Sequence, residues 1–288
     1  MRYLLIINPT SGNKKKEEID QILTAVKDKF HDTLDILYTN KKGDATHFAY
    51  ESTQDIVIVG GGDGTVNEAI NGLMKKKKRK KPKLAIIPLG TSNIVGHELG
   101  LKKKNIREIL ELIDAERSMK LDIGKANGRF FVVACGIGLD AHAYEHVQPQ
   151  LKKMVGEYAY PLAFLKTFVD YKPEQLFIMC NGIERTGYYI LICNITKYRF
   201  VELIKNGKSY DGMFDVLIFQ QKNLLDNLRY VYGILTRRHH TFKDVECIQC
   251  SSLVITAKNP VLHHVDAELN GTTPVKVEII PKALEVIC

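Results

Sequence analysis

Apolar residues alternate between two rhythms through the first 115 or so positions. Tyr3 to Ile7, Leu34 to Tyr38, Ile56 to Val59 and Leu84 to Ile87 are short, nearly unbroken apolar runs of the kind that form buried strands. Between the first two, Ile19, Ile22, Leu23, Val26 and Phe30 step by three and four, which predicts a helix over 16–30 with one buried face. Asp44 to Ser52 and Val66 to Met74 read as further helices, and Ile106, Ile109, Leu110 and Ile113 mark another that ends near Asp114. Strands alternating with helices, without hairpin signals, predict a parallel sheet covered on both faces.

Beyond Asp122 the texture changes, and a domain boundary is expected there, giving domains 1–122 and 123–288. Phe130 to Ala134, Leu176 to Cys180, Tyr188 to Ile195, Phe214 to Phe219, Val245 to Cys250, Leu253 to Ala257 and Val275 to Ile280 read as strands. Helical stretches are expected at 151–169 and 223–236. The second half therefore reads as an antiparallel β domain with helical insertions.

Charge narrows the partners. The 288 residues carry 41 Lys and Arg against 33 Asp and Glu, for a net +8, yet Lys75 to Lys83 (KKKKRKKPK) alone holds eight basic residues. A single local patch does not suit a nucleic-acid groove. It is either a solvated loop or a contact with a polyanion or, peripherally, an anionic membrane surface. No apolar run approaches the ~18 residues of a membrane span, so a soluble, cytoplasmic protein is expected. The six cysteines sit mostly in strand-like contexts without a second ligand pair, which predicts reduced thiols. No His-Glu-x-x-His pattern supports metalloprotease chemistry.

The sharpest local chemistry is IVIVGGGDGTVNEAINGL at 56–73, a buried strand meeting four glycines in five positions and then a helix. Glycines let backbone N–H groups approach phosphate oxygens, and the helix N-terminus adds partial positive charge. Neither the dinucleotide fingerprint nor the P-loop spacing fits. Asp63 inside the turn is either a plain cap or a holder of a cation against phosphates. A second small-residue turn follows at Pro88-Leu89-Gly90-Thr91-Ser92-Asn93. Both would lie at carboxyl ends of parallel strands, where open α/β sheets bind ligands.

These residues resemble the diacylglycerol kinase catalytic-domain superfamily and, within it, the bacterial DgkB/YegS-type lipid kinases. The matching motifs are NPTSG at 8–12, GGDGTVNEAINGL at 61–73, PLGTSN at 88–93, DIGK at 122–125, GIGLDA at 136–141, YDGMFDV at 210–216 and VDAE at 265–268. The resemblance implies an α/β Rossmann-like N-terminal nucleotide domain and a C-terminal antiparallel β-sandwich domain, the arrangement shared by NAD kinases and diacylglycerol kinases. It also implies ATP, Mg²⁺ and a lipid hydroxyl as acceptor. Nucleotide contacts carry over to Asn8, Pro9, Thr10, Ser11, Gly12, Thr39, Gly62, Asp63, Gly64, Thr65, Val66, Asn67, Glu68 and Thr91. Residues 283–288 are expected to return to the first domain. A metal loop carries over to Lys208, Asp211 and Met213, with Tyr210 standing where some members have a second aspartate.

Phosphoryl transfer needs an in-line nucleophile, neutralised charge and a proton acceptor. The family's Asp-Gly-Glu motif maps to Asp266, Ala267 and Glu268, and the resemblance implies Glu268 as general base, supported by Asp266 and Asp63. If the segment is extended, Asp266 and Glu268 share one face. Ala267 replaces a glycine and would resist positive φ. The aromatic-rich stretch with Tyr158, Tyr160, Leu162, Phe164, Leu165 and Phe168 is a candidate for lining a lipid cleft or for ordinary core. Two rivals stand beside the lipid-kinase reading: an NAD kinase-type enzyme with a soluble acceptor, and a nucleotide- or lipid-binding regulatory protein without turnover. Self-association into a homodimer is left open.

Overall fold

Hydrophobic alternation becomes layers in the computed structural model, which describes residues 1–12, 15–77, 81–101, 103–146, 171–195, 197–198, 201–202, 204 and 209–288. The chain forms two compact units, one of residues 1–123 with 281–288 and one of residues 124–280.

In the first unit, β1 (Tyr3–Ile7), α1 (Lys16–Phe30), β2 (Leu34–Tyr38), α2 (Asp44–Glu51), β3 (Ile56–Gly61), α3 (Asp63–Lys75), β4 (Lys83–Pro88), α4 (Ile94–Glu98) and α5 (Ile106–Asp114) follow one another. The strands pair in parallel in the order β2-β1-β3-β4. Helix α1 buries Ile19, Leu23, Val26 and Phe30, the stripe that the three–four spacing dictates. Its ends suit the helix dipole, with Glu17 and Glu18 in the first turn and Lys27 and Lys29 in the last. Helix α5 starts on a capping box in which the Asn105 side chain accepts the Glu108 N–H and Glu108 accepts the Asn105 N–H. Because order runs outward from β1 to β2 on one side and from β3 to β4 on the other, the topology reverses between β1 and β3.

Next come β5 (Ser118–Ala126), β6 (Arg129–Phe131), β7 (Ala134–Ile137), α6 (Leu139–His146), β8 (Leu176–Cys180), β9 (Ile183–Gly187), β10 (Tyr189–Cys193) and the short pair β11 (Lys197–Tyr198) and β12 (Val201–Glu202). They are followed by β13 (Phe214–Phe219), α7 (Leu224–Leu235), β14 (Val245–Cys250), β15 (Ser252–Ala257), β16 (Leu262–Val265), β17 (Glu268–Thr272) and β18 (Val275–Ile287). The second unit is an antiparallel β-sandwich. One sheet runs β14-β13-β10-β7-β16-β17, and the other includes β18-β15-β8-β9. Their inner faces share one core, in which Phe131 stacks on Phe214 at 5.6 Å and Ile190, Ile192, Val216, Leu253, Ile255 and Val277 are buried. A second cluster lies on the outer face of the six-stranded sheet, where Tyr189, Leu217 and Phe219 meet Tyr230 of α7. Strand β18 gives its first residues to this unit, while its Val286 pairs in parallel with Leu84 of the first.

All six cysteines are free thiols, and no described helix is long and apolar enough to cross a membrane. The expected helix at 151–169, with its aromatic residues, lies outside the described residues.

Candidate active site

The topological reversal between β1 and β3 gathers the glycine turns at one rim of the first unit. After β1, Asn8 N–H donates to the Gly60 carbonyl, and the Asn8 amide donates to Thr65 Oγ1 at 3.2 Å. Ser11 Oγ accepts the Gly62 N–H at 3.2 Å, which ties the NPTSG turn to the start of α3. After β4, the Leu89 N–H donates to the Gly61 carbonyl at 3.0 Å. A Cβ on Gly90 would lie 2.5 Å from Gly62 Cα, and one on Gly12 would lie 2.4 Å from the Leu89 carbonyl oxygen. Three backbone turns therefore meet where side chains do not fit. The first-turn N–H groups of α3, at Asp63, Gly64 and Thr65, have no acceptor within the helix and carry its positive end. Amides presented this way at a helix start can hold phosphate oxygens, such as those of a nucleotide.

Several residues expected at this rim have their side chains turned elsewhere. The Asp63 carboxylate accepts the N–H of Ile94 at 2.6 Å and of Val95 at 3.4 Å, so it caps α4 and clamps the two glycine turns together. Glu68 accepts the Gly43 N–H at 3.0 Å, and its carbonyl accepts the Thr46 hydroxyl; it anchors the loop after β2. Thr39 follows β2, with its N–H donating to the Ile7 carbonyl. Val66 is core, and Asn67 is buried against the Asn71 amide. Pro9, Thr10, Gly64 and Thr91 are exposed at the turns. The basic run is not wholly solvated: Lys76 is buried, and its ammonium donates to the carbonyls of Ala49, Tyr50 and Ser52 at the end of α2.

In the second unit the VDAE segment is not extended. Val265 pairs with Glu268 across the β16–β17 hairpin, so Asp266 and Ala267 are its two loop residues, at φ 47° and 67°. Positive φ at both central positions is the signature of the turn whose twist matches a two-residue hairpin. The expected sharing of one face by Asp266 and Glu268 fails for this reason: alternation holds only along a strand. The Asp266 carboxylate turns back to accept the N–H groups of Val132, Val133 and Ala134 at 2.9, 2.8 and 3.1 Å. Glu268, at the head of β17, pairs with Arg129 at 2.6 Å. Ala267 keeps the left-handed backbone that a glycine would adopt without strain, and its N–H donates to His264 Nδ1 at 3.3 Å.

His264 in turn meets Asp140 through Nε2 at 2.7 Å. This pair borders an apolar cavity of about 230 Å³ within the second unit, lined also by Tyr144, Tyr189, Leu191, Tyr230 and other residues of β10 and α7. Tyr189 and Asn227 belong to the lining as well, with Tyr189 Oη and Asn227 Oδ1 buried beneath its apolar surface. Burial pushes the Tyr189 phenol up to about 12, so it stays protonated as a donor. The cavity thus offers an apolar body bordered by an acid–imidazole pair.

A family model described as the diacylglycerol kinase catalytic domain matches residues 2–126, and one described as the YegS C-terminal NAD kinase beta sandwich-like domain matches residues 133–288. The chain belongs to the diacylglycerol kinase family. A diacylglycerol kinase of Staphylococcus aureus is 33% identical over 287 residues, covering 95% of this chain and 88% of the relative. One of Bacillus subtilis is 29% identical over 280 residues, covering 95% and 91%. The crystal structure of a diacylglycerol kinase from Bacillus anthracis matches with a TM-score of 0.74 at 26% identity, covering 99% of this chain and 96% of that one.

In this kinase family member the expected metal loop is described only from residue 209 onward. Asp211 lies in a turn with Tyr210 at φ 63° and Gly212 at φ 85°, and its carboxylate accepts the Met213 N–H at 3.1 Å. Lys208 lies outside the described residues. Among the described residues no group of three or more His, Cys, Asp or Glu could hold a metal ion, while the expected loop would rely on the one carboxylate of Asp211 and backbone carbonyls. Sequence reasoning missed Asp140, His264, Tyr189 and Asn227. Asp140 lay in the quoted GIGLDA motif and His264 beside VDAE, but nothing local pairs residues 124 positions apart.

Proposed function

We propose that the protein is an ATP-dependent lipid kinase that phosphorylates the hydroxyl of diacylglycerol or a related lipid alcohol, working from the cytoplasmic side of a membrane. The observation that carries the lipid half is the cavity of the second unit. Its lining is mostly aliphatic and aromatic, with Asp140, Asn227 and His264 as its polar members besides tyrosines and no lysine or arginine among the described lining residues. A dinucleotide acceptor brings a pyrophosphate that needs cationic or amide donors, so the NAD kinase-type reading is the poorer match.

ATP, when bound, supplies the γ-phosphoryl group, with Mg²⁺ as the usual counter-charge of such reactions. The N–H groups at the start of α3 hold polyphosphate oxygens, and Asn8, Ser11, Thr65 and Asp63 keep the turns that present them in register. Thr10, Thr39 and Thr91 offer hydroxyls at the same rim. Glu268 takes the acceptor's proton, with Arg129 orienting its carboxylate. Asp266 fixes the hairpin that carries Glu268 by gathering three amides, a positioning role rather than a proton-transfer one. The lipid's chains take the apolar cavity of the second unit.

The test is incubation with γ-labelled ATP and, separately, diacylglycerol, phosphatidylglycerol, a sphingoid base and NAD, with identification of the labelled product. Label on a lipid is expected. Label on NAD alone, or nucleotide binding with no labelled acceptor in an extracted lipid pool, would establish one of the two rival readings. Glu268→Gln is expected to keep ATP affinity while abolishing turnover; near-normal turnover would remove Glu268 from the mechanism.

A further inference from the structure

Helix α7 carries the largest run of exposed apolar side chains on any one described helix. Leu224, Leu225, Leu228, Tyr232 and Leu235 are each between 42% and 79% exposed. At about 100° per residue they fall within one sector roughly 100° wide. The opposite face is fixed to the sandwich: Tyr230 lies 4.9 Å from Phe219, centroid to centroid, and a Cβ on Gly233 would lie 2.4 Å from the Phe242 ring. The outward stripe is thus presented by a firmly seated helix.

Charge around the stripe is predominantly basic. Residues 222–244 contain Lys222, Arg229, Arg237, Arg238 and Lys243 against Asp226 and Asp244. Arg229 pairs with Asp226 and Asp244, Lys222 lies over the Tyr188 ring at 5.4 Å, and Lys222, Arg237, Arg238 and Lys243 are all solvent-exposed. An apolar stripe flanked by basic residues matches an anionic bilayer, with leucines in the acyl boundary and cations among the head groups. Leu235 belongs to the stripe and also lines the cavity of the second unit. The cavity rim therefore lies on the same surface.

We infer that α7 is a membrane-docking helix, laying Leu224, Leu225, Leu228, Tyr232 and Leu235 into the surface of an anionic bilayer. Resting on the lipid-kinase reading, Leu235 then marks the entry by which a lipid passes sideways from the bilayer into the cavity. Docking itself stands independently of that reading. It differs from docking through Lys75 to Lys83, which is purely electrostatic and lies in the other unit.

The chain contains no tryptophan, so a single introduced indole reports its own surroundings. Leu225→Trp is expected to shift to shorter emission wavelength with vesicles of phosphatidylcholine containing phosphatidylglycerol, and to be quenched by lipids brominated on the chains. Ile183→Trp, on the exposed β9, should show neither effect. High salt or vesicles of phosphatidylcholine alone should weaken the response. Leu225→Gln with Leu228→Gln should lower vesicle affinity about tenfold or more while leaving phosphorylation of a water-soluble short-chain diacylglycerol unchanged. An emission spectrum of Leu225→Trp indifferent to vesicles would overturn the inference, including the case where it is already blue-shifted because another segment or a second copy covers the helix. So would vesicle binding that survives the leucine changes and disappears when Lys75, Lys77 and Lys81 become glutamine. Failure to phosphorylate any lipid would count against the kinase reading while leaving the fluorescence result to judge docking.

Discussion

Replacing Gly90 with alanine would place a Cβ 2.5 Å from Gly62 Cα and 2.8 Å from Asn93 Oδ1. Carbon atoms in contact settle at about 3.5–4.0 Å, so the turns after β3 and β4 must separate by about 1 Å. Gly90 itself has no positive φ that would penalise alanine, and the effect is purely steric. The reciprocal change at Gly62 puts its Cβ 3.3 Å from Gly90 Cα, which a few tenths of an ångström relieves. Displacing groups by about 1 Å from a reacting centre costs on the order of 10²-fold in rate, about 2.7 kcal/mol of barrier. Overpacking adds about 1–3 kcal/mol of lost stability. Measured with labelled ATP and a short-chain diacylglycerol, kcat/KM should fall about a hundredfold for Gly90→Ala and less than about fivefold for Gly62→Ala, with denaturation midpoints in the same order. Parent-like activity and stability in Gly90→Ala, or a reversed order of the two variants, would refute the view that backbone contact between these turns sets the phosphate cradle.

Lys76→Met leaves three carbonyls at the end of α2 without their ammonium donor and is expected to destabilise the protein by about 2–4 kcal/mol in urea unfolding; a loss under about 0.5 kcal/mol would return Lys76 to the solvated run. Ala267→Gly removes a Cβ from a left-handed backbone and should stabilise by about 1 kcal/mol, with turnover equal or higher; destabilisation would mean the alanine methyl has a packing role. Burial lowers the His263 imidazole below its ordinary value of 6.5. The unfolded chain then binds the extra proton first, so this residue's contribution is complete above about pH 6.5 and is lost as pH falls below it. The slope of the melting temperature between pH 7.5 and 5.5 should flatten in His263→Leu, and an unchanged slope would assign the acid sensitivity elsewhere.

Local order was highly legible. The spacing of Ile19 to Phe30 predicted 16–30, and α1 spans Lys16–Phe30; the apolar runs at 3–7 and 34–38 are β1 and β2. Periodicity is enforced by burial of one face, so it is written within a few residues. The β7, β9, β16 and β17 strands were not anticipated, because short segments with glycine, histidine or charge carry no clean alternation. At the rim, NPTSG, GGDGT and PLGTSN announced small-residue turns, but their mutual contact did not appear until the strands were ordered.

The sequence alone specified strand–helix alternation, the glycine turns and the resemblance that points to phosphoryl transfer, since each is a property of neighbouring residues. Only tertiary structure decided what the polar groups do. It sent Asp63 to cap α4, gave Asp266 to three amides, buried Lys76 against helix carbonyls and joined His264 to Asp140. Carboxylates and cations take their roles from which distant donors or acceptors the fold brings within 3 Å or so, and that choice belongs to the packing of the whole unit.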